Sequence, residues 1–143
     1  MAFRQSTGFA NHRLDAALNA AAGDQFDSGV LEFRTGAQPT LANDAPTGTV
    51  VASLTLPADA FGAAAAKVAA KAGTWQDASA DAAGTVGWAR LRESGDGGGS
   101  STTDRRLDFA VTNTGGGGEI TLQNVIITLG QQVTMTTFSL TEP

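Results

Sequence analysis

From residue 29 onward, short β-prone runs alternate with clusters of Gly, Pro, Asn and Asp, the pattern of an all-β sandwich or barrel. The spacing predicts strands at Gly29–Arg34, Thr49–Leu56, Val68–Trp75, Val86–Arg92, Leu107–Thr112, Glu119–Leu129 and Gln131–Leu140. Strict alternation of apolar and polar positions is clearest at Val50/Ala52/Leu54/Leu56, Leu107/Phe109/Val111 and Ile120/Leu122, so each of these runs turns one apolar face inward. Val125–Ile126–Ile127 is apolar on both faces, so it is either a central strand between two covered layers or an exposed patch meant for a partner. Farther on, Val133/Met135 and Phe138/Leu140 fall on opposite parities, which predicts a bulge near Thr136–Thr137 or a strand that changes sheets.

Ahead of the strands, Leu14, Ala17, Leu18 and Ala21 recur at helical spacing. They predict one short amphipathic helix over Ala10–Ala22, with Asn11 as N-cap and Gly23 as its C-terminal stop. Residues 1–9 form a polar arm carrying Phe3 and Phe9, two large side chains that either tuck under the domain or dock on a neighbouring subunit. The Ala-rich stretch Ala58–Ala72 is divided between helix propensity at Ala63–Ala66 and strand propensity at Val68 and Trp75; it reads as a helical turn near Asp59–Phe61 followed by a strand. Ser94–Thr103 and Gly115–Gly118 read as flexible loops.

A chain of 143 residues fits one domain. Ala, Gly, Thr and Ser make up 70 of them, and Val, Ile, Leu and Phe only 29, so the core is thin. Charged residues are 16% of the chain, too few for a disordered, solvated segment. Nine basic against 14 acidic residues argue against nucleic acid as a partner, because that affinity rests on clustered Lys and Arg. The exceptions to the scatter of arginines are the pairs Arg90/Arg92 and Arg105/Arg106, which suit a carboxylate as well as a phosphate. Without cysteine there is no disulfide framework, so stability comes from packing or assembly. The polar N-terminus has no apolar signal region, and Ala58–Ala66 is too short to span a bilayer; a soluble, non-exported protein with no membrane partner is expected.

The residues of the usual catalytic centres are missing or scattered. A Ser-His-Asp triad would need His12, the lone histidine, which sits at the start of the predicted helix; no G-x-S-x-G elbow supplies a serine. Zinc lacks a ligand set. Asp96, Asp104 and Asp108 bracket a Gly-rich loop and have the oxygen chemistry for calcium, but their spacing matches no calcium motif, and a solvated acidic loop is the plainer reading. Neither Gly run continues as a phosphate-binding loop. Carboxylates for glycoside cleavage can be paired only arbitrarily from Glu32, Glu93, Glu119 and the aspartates. Trp75 and Trp88 are either core anchors or exposed platforms for a glycan.

Four segments, GVLEFRTGAQP (Gly29–Pro39), GTVVASLTLP (Gly48–Pro57), KAGTWQD (Lys71–Asp77) and GTVGWARLRESGDGGGSSTTDRRLD (Gly84–Asp108), resemble a set of small proteins from the head-morphogenesis regions of tailed bacteriophages and prophages. The resemblance runs over about nine-tenths of the chain. It implies a virion structural component on the capsid surface, assembled in the host cytoplasm: a capsid cement (decoration) protein of β-sandwich or jelly-roll type, without enzymatic activity or cofactor. The implied partner is the major capsid protein, with homo-oligomerisation as a dimer or trimer. The expected contact residues are Phe3, Phe9, Arg90, Arg92, Arg105 and Arg106, with the loop Ser94–Thr103. Two alternatives stand beside it: a neck, tail or fibre-associated virion component, and a glycan-binding β-sandwich module using Trp75 or Trp88.

Overall fold

The computed structural model describes residues 4–18 and 26–142. The described residues form a single mainly-β domain with one short helix, α1 (Thr7–Leu18). Ten strands follow: β1 (Val30–Thr35), β2 (Val50–Thr55), β3 (Val68–Ala70), β4 (Trp75–Asp77), β5 (Gly84–Arg92), β6 (Arg106–Asn113), β7 (Ile120–Leu122), β8 (Ile126–Ile127), β9 (Val133–Met135) and β10 (Ser139–Thr141). Three of the seven predicted strands are each divided in two, at 71–74, 123–125 and 136–138.

The main sheet runs β7-β6-β5-β1-β2-β4-β9, with β8 beside the start of β5; β3 and β10 form a separate two-stranded ribbon. All pairings are antiparallel except β6 with β7. Thus the chain changes sheets between β9 and β10, the second of the two alternatives the parity switch left open. The sheet curls around its core: Phe138, in that crossover, touches Phe109 of β6 at 5.5 Å and Trp75 of β4 at 5.3 Å, although those strands lie far apart in the sheet order. Inward alternation holds as expected at Ala52, Leu54, Leu56, Phe109 and Val111, and also at Leu31/Phe33 and Ala89/Leu91, but not at Val50, where a slip in the β1–β2 register brings Val51 into the core instead. A slip in the β1–β5 register at Arg34/Thr35, opposite Gly87, keeps Val86 in the core and puts Trp88 on the other face.

Helix α1 begins three residues earlier than predicted. Ser6 rather than Asn11 caps it, its Oγ accepting the Phe9 N–H at 3.1 Å; the expected Gly23 stop lies outside the described residues. Ala10, Leu14 and Leu18 form its buried stripe. Asn11 and Asp15 instead fasten the helix to the domain, accepting the N–H groups of Lys67 at 2.7 Å and Ala64 at 2.6 Å. The anticipated helical turn at 59–61 does not form. Phe61 is held in a bridge to Lys71, its ring packs edge-on to Trp75, and Ala60 donates its N–H to Asp27.

Glycine decides one unusual connection. β7 runs parallel to β6 only seven residues after it, so the Gly115–Gly118 run must fold back along β6. A Cβ at Gly118 would lie 2.8 Å from the Ala110 carbonyl, and one at Gly116 2.7 Å from Thr112 Cβ. These glycines permit close backbone approach rather than looseness.

Candidate functional site

The convex face of the β1-β5-β6 centre carries the charges that alternate with the core residues. Cross-strand register aligns Glu32, Arg90 and Asp108 in one row, and Arg34, Trp88 and Ala110 in the next. Glu32 gives one oxygen to each of two arginines, Arg92 Nη2 at 2.7 Å and Arg34 Nη2 at 2.9 Å. Arg90 grips Asp108 through Nε at 2.7 Å and Nη2 at 2.8 Å, and its Nη1 donates to the Asp44 carbonyl at 2.9 Å. Arg106 holds Asp96 through Nε and Nη2, with Asp104 at 3.3 Å. Planar forks on carboxylates are the strong form of this bond.

Two loops cover this face. Residues 36–49 are held by Arg90, and residues 93–105 by Asp96, whose side chain is fully enclosed; the two loops join where Ser101 N–H donates to the Asn43 carbonyl at 2.9 Å. Burial opposes ionisation of Asp96. The hydrogen bonds from Arg106 and the Gly98 N–H, with the positive charges of Arg106 and Arg92, outweigh it and hold the carboxyl below the ordinary aspartate range. The bond to Asp96 in turn raises the Arg106 pKa against the effect of burial, helped by the fields of Asp96, Asp104 and Asp108. Trp88 lies between Arg34 at 5.9 Å and Arg90 at 5.4 Å, a cation–π stack under the loops.

These positions revise the expected contact set. Arg90 and Arg106 are not surface contacts: their side chains are 1% and 2% exposed, and their charges are spent on carboxylates of the same chain. Arg92 is largely engaged by Glu32, while Arg105 lies on the surface and pairs with Glu93 at 2.8 Å. Phe9 is half-exposed in the first turn of α1; Phe3 lies outside the described residues. The loop 94–103 is anchored at Asp96 and Ser101 rather than free. Asp96 and Asp108 are neither a solvated acidic loop nor available to calcium, because arginines occupy them. Trp75 and Trp88 are both fully buried, which removes the glycan platform. His12 is exposed on α1. Among the described residues, no group of three or more His, Cys, Asp or Glu is arranged to hold a metal, and no helix is long and apolar enough to cross a membrane.

The sequence reading missed the network itself. Its signal was present as charges at every second position of three strands, in VLEFRT, WARLR and RLD. Such spacing places them on one face, and their opposite signs pair them across the strands.

The accessible features lie elsewhere. The doubly apolar run is neither a central strand nor wholly exposed: Ile127 is buried in the core and Val125 packs against it, while Ile126, at 58%, and Leu129 just beyond the run, at 71%, face solvent. Beside it, β7 and β9 end the sheet order and line two adjoining cavities of about 450 and 440 Å³. Thr121, Met135, Thr136 and Thr137 border both cavities, making one groove. No protein-family model, curated protein or solved structure matches the chain.

Proposed function

We propose that this protein is a non-enzymatic structural subunit that binds and stabilises a protein shell, a cement protein on the capsid lattice of a tailed phage. The observation that carries the reading is the exposure of two large apolar side chains, Ile126 and Leu129, near sheet edges that have no neighbour among the described residues. Exposed apolar groups next to an open strand edge favour protein contact over solvent. The resemblance of the four sequence segments supplies the shell as the partner. Arginines turned inward support it too, since they leave protein contact rather than a phosphate-binding surface as the business of the exterior. Many weak contacts around a lattice would sum through effective concentration.

Cosedimentation with expanded heads that lack the protein tests the reading by counting bound copies. On the order of hundreds of copies per particle is the expected result, and about a dozen would move the protein to the neck or tail. No binding overturns the proposal. Ile126→Asp with Leu129→Asp, both at exposed positions, is expected to keep the fold and lose the binding.

A further inference from the structure

We infer that copies of this protein join head to tail, the outer face of α1 on one copy seated on the corner formed by residues 79–85 and 126–131 of the next. The inference rests on the reading of this protein as a structural subunit, and it names the neighbour at Ile126 and Leu129 as a second copy. Each of the two surfaces exposes large apolar side chains, and their charges are opposite.

Helical spacing puts Phe9, His12, Arg13 and Ala16 on one face of α1, opposite the buried stripe Ala10, Leu14 and Leu18. All four are exposed, Phe9 by 53%. Arg13 reaches Gln5 at 3.0 Å and Glu142 at 3.4 Å. Lys67 lies on the other side of Glu142, its carbonyl accepting the Glu142 N–H while its own N–H donates to Asn11 of the helix. Arg4 precedes Gln5 in the chain. Three cations and the histidine therefore surround one carboxylate, Glu142; Asp15 is engaged by the Ala64 N–H. The five arginines from Arg34 to Arg106 each hold a carboxylate elsewhere, so accessible positive charge gathers at α1.

The other surface is acidic. Gly130 donates its N–H to the Ala80 carbonyl at 3.0 Å, and Ala80 donates to the Gln131 carbonyl at 2.8 Å, which sets Asp81 near Leu129; Thr85 pairs with Ile126. Asp77 and Asp81 accept from the Ser53 and Ser79 N–H groups and the Ser53 hydroxyl, and among the described residues neither meets a cation. The two surfaces stand at opposite ends of β5. Ile126 is beside Thr85, whereas the last turn of α1 shares a cavity with Leu107, the register partner of Leu91, about 20 Å farther along the strand. A two-fold contact at either end alone sets like charge on like. Unlike ends match, with Phe9 against Ile126 and Leu129 and opposite charges around them, and such a heterologous contact closes into a ring or continues as a filament.

Sedimentation velocity of the full chain tests the inference with two variants. Ile126→Asp with Leu129→Asp blocks the corner, and Phe9→Asp with His12→Asp blocks the helix face; all four positions are exposed, and thermal unfolding checks that each variant folds. The unaltered protein is expected to grow in mass between about 1 μM and 1 mM. Raising salt from about 0.05 to 0.5 M, or the single change Asp81→Lys, is expected to weaken association roughly tenfold. Each double variant alone is expected to stay monomeric, and their equimolar mixture to form a dimer and nothing larger, since one intact helix face meets one intact corner. A monomer at every concentration overturns the proposal. So does association that either double variant retains, a mixture that stays monomeric, or growth in mass that neither salt nor Asp81→Lys weakens. Mass is read without shells, so the two readings fail separately. No self-association with shells still bound sets Ile126 and Leu129 against the shell itself, and self-association without shell binding removes the cement reading alone.

Discussion

Replacing Asp96 by Asn keeps an oxygen for the Gly98 N–H and removes the charge that Arg106 faces. Breaking one side of an enclosed ion pair costs about 3–5 kcal/mol, because the remaining ion has lost both water and partner. Asp104, 3.3 Å from Arg106 Nη2, remains and places the expected cost near the lower end, about 3 kcal/mol. With a urea m-value on the order of 2 kcal/mol/M, the unfolding midpoint falls by about 1.5 M. Arg106→Met alone is expected to cost a similar amount, and the double variant less than the sum by about 2 kcal/mol, since no uncompensated charge is left. Acid titration adds a second readout. The Asp96 pKa is lower folded than unfolded, so its stabilisation is complete above the unfolded value of about 4 and is lost as pH falls through the folded value. Asp96→Asn is therefore expected to flatten the stability profile below about pH 4. A single-variant cost under about 1 kcal/mol, or strict additivity in the double variant, would refute the reasoning.

Three further outcomes are expected. Lys67 and Ala66 adopt positive φ, 68° and 50°, in a two-residue turn pinned by Asn11 and by the Glu142 N–H; Lys67→Gly is expected to add about 1 kcal/mol, a rise in Tm of about 2–4 °C, and no rise would contradict the strain. Gly118→Ala is expected to destabilise by about 1–3 kcal/mol and to speed amide exchange in β7, through the clash with the Ala110 carbonyl; unchanged exchange would argue against the tight fold-back. Both indoles are buried, so tryptophan emission is expected to be blue-shifted and weakly quenched by iodide, and strong quenching would contradict the packing.

What was legible in the sequence was the part governed by local alternation. Leu107/Phe109/Val111 and Ala52/Leu54 point inward because a strand places every second side chain on one face, and nothing distant alters that. Val68–Trp75 was read as one strand because its composition is β-prone throughout; the break at 71–74 comes from the Gly73 backbone, at φ 63°, and from the Phe61–Lys71 bridge, a partner ten residues away. The arginine face was misjudged for a related reason. Arg90 and Arg106 are surface residues by type, and only the register with Asp108 and the return of the 93–105 loop enclose them. The groove was illegible because it is a gap between strands that are distant in the sheet order, and a single sequence records no gap.

Phe138 has a kinetic consequence. Its ring meets Phe61, Trp75 and Phe109, while β10 just beyond it pairs with β3, joining Thr141 to Val68. The residues that lock the curled sheet therefore follow every strand of the main sheet in the chain. Until they are made, the strands before them have no lock across the concave side. Contacts of such long sequence separation make folding slow, on the order of milliseconds to seconds for β topologies. Through that interval apolar positions of the core and the strand edges stand exposed, the condition under which partly folded chains associate with one another.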